Sequence, residues 1–169
     1  MWKKPDERVE RGYMLLQAAT AEGALGDIPT AYRRAEELAA LDTEALTILA
    51  RVAADFVCRL SLASGPDWTT SKDDNGNLVN IEDRSPERRV FTRRMMAAWS
   101  IQDTETFSAL LHAACADGQR RHSHLADLFR LTIDEAELHG KRASRPFSVV
   151  RQMNKSILKE GLGKEDWNR

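Results

Sequence analysis

Between Asp42 and Leu62 the sequence leaves little choice of fold. Leu46, Leu49, Ala53, Phe56, Val57 and Leu60 recur at three- and four-residue intervals behind an aspartate suited to cap a helix. That period buries one face of a helix, whereas a strand would scatter the same residues over both of its faces. The most apolar stretch, Ala45 to Cys58, is interrupted by Arg51 and Asp55 and is not a membrane span. A chain organised around such a segment is all-α, with this helix at the centre of its core.

Similar signals recur on both sides. A first helix is predicted from about Pro5 to Glu22, with Val9, Tyr13, Leu16 and Ala19 on one face and Gly23 and Gly26 ending it. A second starts at Asp27 and Pro29 and turns Tyr32, Ala35, Leu38 and Ala39 inward. After the third helix, Gly65-Pro66 breaks the pattern, and the polar run around Asp73-Asp74-Asn75-Gly76-Asn77 predicts a short β-hairpin or polar loop near residues 66–84. Ser85-Pro86 opens a fourth helix with Phe91, Met95, Ala98 and Trp99 inward. Asp103 caps a fifth carrying Phe107, Leu110, Leu111, Ala114 and Cys115, which Gly118 stops. A sixth, about Gln119 to His139, buries Leu125, Leu128, Phe129 and Thr132 and ends at Gly140. Ser144 and Pro146 begin the last, with Phe147, Val150, Met153 and Ile157 inward and Arg151, Lys155 and Lys159 outside at four-residue intervals.

The expected architecture is a compact bundle of about six or seven helices, either one unit or two lobes (1–65 and 85–169) joined through 66–84. With 169 residues, 42% of them hydrophobic, the chain buries a core without disulfides. Asp42-Thr43-Glu44 recurs as Asp103-Thr104-Glu105, a repetition that helix-capping chemistry accounts for without a duplication. Cys58 and Cys115 each lie in an apolar helical run, which fits free thiols in a reducing cytoplasm. The first residues carry charge with no apolar stretch behind them, so neither export nor membrane insertion is expected.

Formal net charge is -1, unlike a free-standing nucleic-acid binder of high pI. Its distribution is uneven. Met1 to Glu137 holds 17 basic and 23 acidic residues, a net of -6, while Leu138 to Arg169 holds 8 basic and 3 acidic, a net of +5. Arg88, Arg89, Arg93 and Arg94 crowd the start of the fourth helix, and Arg33-Arg34, Arg120-Arg121, Lys141-Arg142 and the Arg151/Lys155/Lys159 series add further cations. Guanidinium forks and lysine ammonium groups suit phosphate, so Arg33, Arg34, Arg88, Arg89, Arg93, Lys141, Arg142, Arg151 and Lys155 are the candidate nucleic-acid contacts.

No catalytic or metal-binding motif accompanies them. His122 and His124 are two apart and point to different sides of a helix, and no Cys pair or HExxH pattern completes a ligand set. Carboxylates cluster at helix starts, where the helix dipole accounts for them. No cofactor is implied. Ala143 to Lys155 resembles the recognition helix of a winged helix-turn-helix regulator, giving one alternative function, a DNA-binding regulator using the 144–160 helix. Trp2 and Trp167 near the ends suit a second, a nucleic-acid-free helical adaptor.

In sequence order, Arg33-Arg34 in an early helix, the apolar helix before a polar loop, Glu87-Arg88-Arg89-Val90-Phe91 after it, and Leu125-Ala126-Asp127-Leu128-Phe129 resemble the small all-helical subunit of CRISPR Cascade-type effector complexes. The similarity spans roughly Gly26 to Arg130. It departs at Thr92-Arg93-Arg94-Met95-Met96, where the family carries an aliphatic run, and in the basic C-terminal segment. The resemblance implies a noncatalytic structural subunit that packs against copies of itself and against RNA-binding subunits. It would offer a basic surface to guide RNA or displaced single-stranded DNA, without sequence preference.

Overall fold

A computed structural model of the chain describes residues 6–61, 70–72, 78–80 and 87–162, with side chains over 6–61 and 90–162. Among them are seven α-helices and one two-stranded sheet: α1 Glu7–Leu25, α2 Ile28–Ala39, α3 Thr43–Ser61, β1 Thr70–Lys72, β2 Leu78–Asn80, α4 Glu87–Ser100, α5 Thr104–Ala116, α6 Arg121–Glu137 and α7 Pro146–Ser156. The fold is the all-α bundle that the periodicity predicts. The strands form the expected hairpin, antiparallel with Thr70 opposite Asn80 and Lys72 opposite Leu78.

Helices α3 and α6 form the middle of the bundle. On one side α1, α2 and α7 pack against this pair, and on the other α4 and α5 do. Helix α3 is buried almost all round, from Ala45 to Ser61, as its apolar run requires. Phe56, Phe107, Phe129, Met95 and Leu125 are fully enclosed in a core drawn from all seven helices. Each such side chain contributes about 1.5–3 kcal/mol through removal from water.

Helix ends follow the chemistry of their residues. Asp42 accepts from the Ala45 amide at 3.0 Å, and Asp103 accepts from the Thr106 amide at the same distance. Helix α1 runs past Gly23, which lies inside it because its missing Cβ lets α1 approach Ile133 and Ala136 of α6. Gly26, at φ 86°, is the residue that ends α1, as the Gly26 amide bonds the Gly23 carbonyl and the Asp27 amide the Glu22 carbonyl. The same pattern closes α4, with Gln102 at φ 61° in the glycine's place. Asp27 stands at the start of α2 without making a side-chain cap bond.

Two expectations for the C-terminal third are corrected. Gly140 does not stop α6, which continues into a π-helical turn over Leu138–Arg142, where Gly140 is buried against Ala24 of α1. Ser144 does not cap α7 but sits before it at φ 56°, and the Arg145 amide closes the turn onto the Gly140 carbonyl at 2.8 Å. A second π-helical turn, Ile157–Gly161, follows α7, with the Leu162 amide bonding the Ile157 carbonyl at 3.1 Å. No helix among the described residues is long and apolar enough to cross a membrane.

Candidate nucleic-acid interface

The nine candidate cations separate by flank. Arg33 and Arg34 lie on α2, and the Lys141 stem crosses Gly26 at the α1–α2 turn, with Arg142 next to it in the chain. Arg151 and Lys155 lie on the exposed face of α7, in the same α1/α2/α7 flank. Arg93 is half-buried on α4, in the opposite flank, and the Arg88 and Arg89 side chains fall outside the described residues, as do Trp2 and Trp167.

Several of these charges are already used within the fold. Arg34 donates from Nη2 to Glu22 Oε1 at 3.1 Å, which raises the guanidinium pKa further. Arg142 Nη2 lies 3.6 Å from Glu137 Oε1. Among the described residues, exposed Arg33 makes a 3.3 Å bond to Thr30 Oγ1 and no ion pair. Exposed Lys141, Arg145, Arg151 and Lys155 form no ion pair among the described residues. From Leu138 to Leu158 there is no Asp or Glu at all. The open cations therefore concentrate in the last quarter of the chain, and Arg145 joins the candidate set.

Two assignments in the last helical segment change, one inward and one outward. Phe147, expected in the core, is 87% exposed, while Val149, Met153, Ser156 and Ile157 form the buried face. The buried face keeps Met153 and Ile157 and takes Val149 in place of Phe147, so Phe147 joins Arg151 and Lys155 outside. Lys159, expected to extend that outer series, turns inward because the π-helical turn breaks the four-residue interval. Its Nζ reaches Asp55 Oδ1 at 2.8 Å.

Asp55 is the centre of a buried polar network that sequence reasoning missed. It accepts from Arg59 Nε at 2.6 Å, Ser156 Oγ at 2.7 Å and Lys159 Nζ. Burial pushes the carboxyl up, but these three donors outweigh it and hold its pKa below the ordinary aspartate range. The bond to Asp55 holds the Lys159 ammonium above its usual value. Next to it, burial and the Asp55 charge push the Cys58 thiol up to about 11, so it is a packed, unreactive thiol. Only the Asp55–Arg59 spacing of four residues hinted at this network in sequence.

The histidines make separate local contacts. His122 and Arg130 both bond Glu36, and the His122 contact is the main cause of that carboxyl's lowered pKa. His124 is buried and stacked on Phe91, with ring centroids 4.4 Å apart. His139 Nε2 lies 3.4 Å from Glu135 Oε2, whose carboxyl is nonetheless raised by burial. Burial, aided by a 2.6 Å bond to Asp134, pushes the Tyr32 phenol up to about 12. Among the described residues no three metal-capable side chains converge, and Cys58 and Cys115 are free thiols. What the arrangement offers chemically is a rigid helical flank with open cations.

No family model matches the chain, and neither a curated protein nor a solved structure matches it significantly.

Proposed function

We propose that this chain is a noncatalytic structural subunit of a CRISPR-type ribonucleoprotein effector complex in the cytoplasm, contacting guide RNA or displaced DNA through a basic helical face. The observation that carries the reading is the set of exposed cations Lys141, Arg145, Arg151 and Lys155, which form no ion pair among the described residues and lie in a segment without a carboxylate. A phosphate backbone is the polyanion such a surface suits, because each neutralised phosphate releases counterions whatever the base sequence. Net charge near zero makes a single copy a weak binder. Self-association and docking to other subunits would add patches, and avidity would set the affinity. Exposed Met14, Leu25 and Ile101 are apolar surface available for such contacts.

The test is purification without nuclease, followed by size-exclusion chromatography at low and high salt with absorbance read at 260 and 280 nm. Co-eluting nucleic acid that leaves at high salt, with a mass above monomer, is expected. A clean monomer at both salts sinks the reading and favours the adaptor alternative.

A DNA-binding regulator is the second reading, favoured by the exposure of Ser148, Arg151 and Lys155 along α7. It requires a preference among duplex sequences, so equal affinity for scrambled duplexes rejects it.

A further inference from the structure

We infer that the outer stripe of α7 is a single-strand stacking site, in which Phe147 takes the face of an unpaired base while Arg151 and Lys155 hold the flanking phosphates. This rests on the nucleic-acid reading above and narrows it to a substrate class.

Phe147, Arg151 and Lys155 follow at four-residue intervals, and together with Ser148 they occupy about a 100° arc of the helix surface. Successive members are about 6 Å apart along the axis, comparable to the step between phosphates of an extended strand. An aromatic ring 87% exposed on a helix whose inner positions Val149, Met153 and Ile157 are buried is not a residue in search of the core. The inner face is anchored against α1 and α3, so the stripe is presented by a rigid element. Gln17 Nε2 of α1 also donates to Asn154 Oδ1 at 3.1 Å, fixing the helix edge beside it.

Charge selects the occupant. Arg145, Arg151 and Lys155 lie within eight residues of Phe147 and form no ion pair among the described residues, so a ligand that brings negative charge suits them. An exposed aromatic in sequence among exposed cations fits a single strand, whose bases offer a π face and whose backbone offers phosphates. A duplex would use the cations and leave the ring idle, since its bases are already stacked.

The experiment measures anisotropy of labelled oligothymidylate, and of a duplex of matched length, with the full chain and the variants Phe147→Ala, Phe147→Trp and Arg151→Gln/Lys155→Gln over a salt series. Circular dichroism confirms that each variant is folded. Phe147→Ala is expected to weaken single-strand binding about five- to hundredfold with an unchanged salt slope, since stacking releases no ions. Phe147→Trp restores it, and duplex affinity stays the same in both. The double cation variant lowers the salt slope by about 0.7 per charge. Wild-type single-strand affinity in Phe147→Ala overturns the stacking site while leaving phosphate binding intact. Equal losses on single strand and duplex overturn it as well. Wild-type protein that binds neither oligonucleotide removes both this site and the reading it rests on.

Discussion

Lys159 Nζ lies 2.8 Å from Asp55 Oδ1, joining residues 104 positions apart and pinning the turn after α7 to the central helix. The two partners are unequally buried: the Asp55 side chain is 6% exposed and the Lys159 side chain 36%. A cation left alone here can swing to water, whereas the carboxylate cannot. Removing both cations with Arg59→Gln/Lys159→Gln is therefore expected to cost about 3–5 kcal/mol, the range for stranding a buried charge. Asp55→Asn is expected to cost less. Urea denaturation of the two variants checks the order, and the reverse order refutes this account.

Asp55 and Glu135 give opposite pH dependence. The depressed Asp55 pKa contributes stability above the unfolded value of about 3.9 that is lost as pH falls through the folded value. The raised Glu135 pKa means its charged form is disfavoured in the fold, a penalty absent below about pH 4.3 and complete above the folded value. Glu135→Gln, which keeps an acceptor for Ser61, should be more stable than the parent at neutral pH, with the gain vanishing as pH approaches 4. A difference between the two proteins that stays constant from pH 7 to 4 would show that Glu135 ionisation is not its source.

The sequence disclosed most of the core because helical periodicity is local: Leu46 through Leu60 reads inward from spacing alone, and all six predicted positions are buried. It failed where tertiary packing changed the period. One regular helix puts Phe147 inside and Lys159 outside, but α7 buries Val149 instead of Phe147 beside Met153 and then passes into a π-helical turn. Gly140 read as a stop because a glycine after a helical run usually is one, while its actual partner, Ala24, is remote in sequence. The open cations were visible as residue types. Which of them were neutralised was not, since Glu22 and Glu137 meet Arg34 and Arg142 through local geometry that composition does not record.

Gly26 and Gln102 occupy the same left-handed position in two equivalent helix endings. Exchange should move their stabilities in opposite directions. Gly26→Ala places a Cβ in that conformation, at about 1–2 kcal/mol, and against the Lys141 stem as well. Gln102→Gly relieves the same strain, and a gain of about 1 kcal/mol or less remains after glycine's extra unfolded-state freedom is counted. Thermal melts of both variants test this, and a lowered midpoint for Gln102→Gly would contradict it.

A Cβ on Gly140 would lie 2.5 Å from Ala24 Cα and 2.7 Å from the Ala24 carbonyl oxygen. Backbone atoms cannot rotate aside as a side chain can, so Gly140→Ala must separate α1 from the π-helical turn. The expected cost is about 1–3 kcal/mol, as for overpacked sites. Gly118→Ala is the control, because nothing lies within 4 Å of its added Cβ. Equal melting temperatures for the two variants would remove the close approach as the reason for Gly140.

Pairing within the fold should decide which cations matter for nucleic acid. Arg34 is held by Glu22 and Arg142 lies near Glu137, so binding a phosphate there means competing with a resident carboxylate. Arg33 and Lys141 have no such carboxylate partner among the described residues. Arg33→Gln/Lys141→Gln is therefore expected to lower the salt slope of single-strand binding by about 1.4, at about 0.7 per charge. Arg34→Gln/Arg142→Gln should lower it by less, because the freed Glu22 and Glu137 add repulsion that weakens affinity without changing how many cations the strand contacts. Matching slopes from the two double variants would mean that ion pairing does not select among these residues.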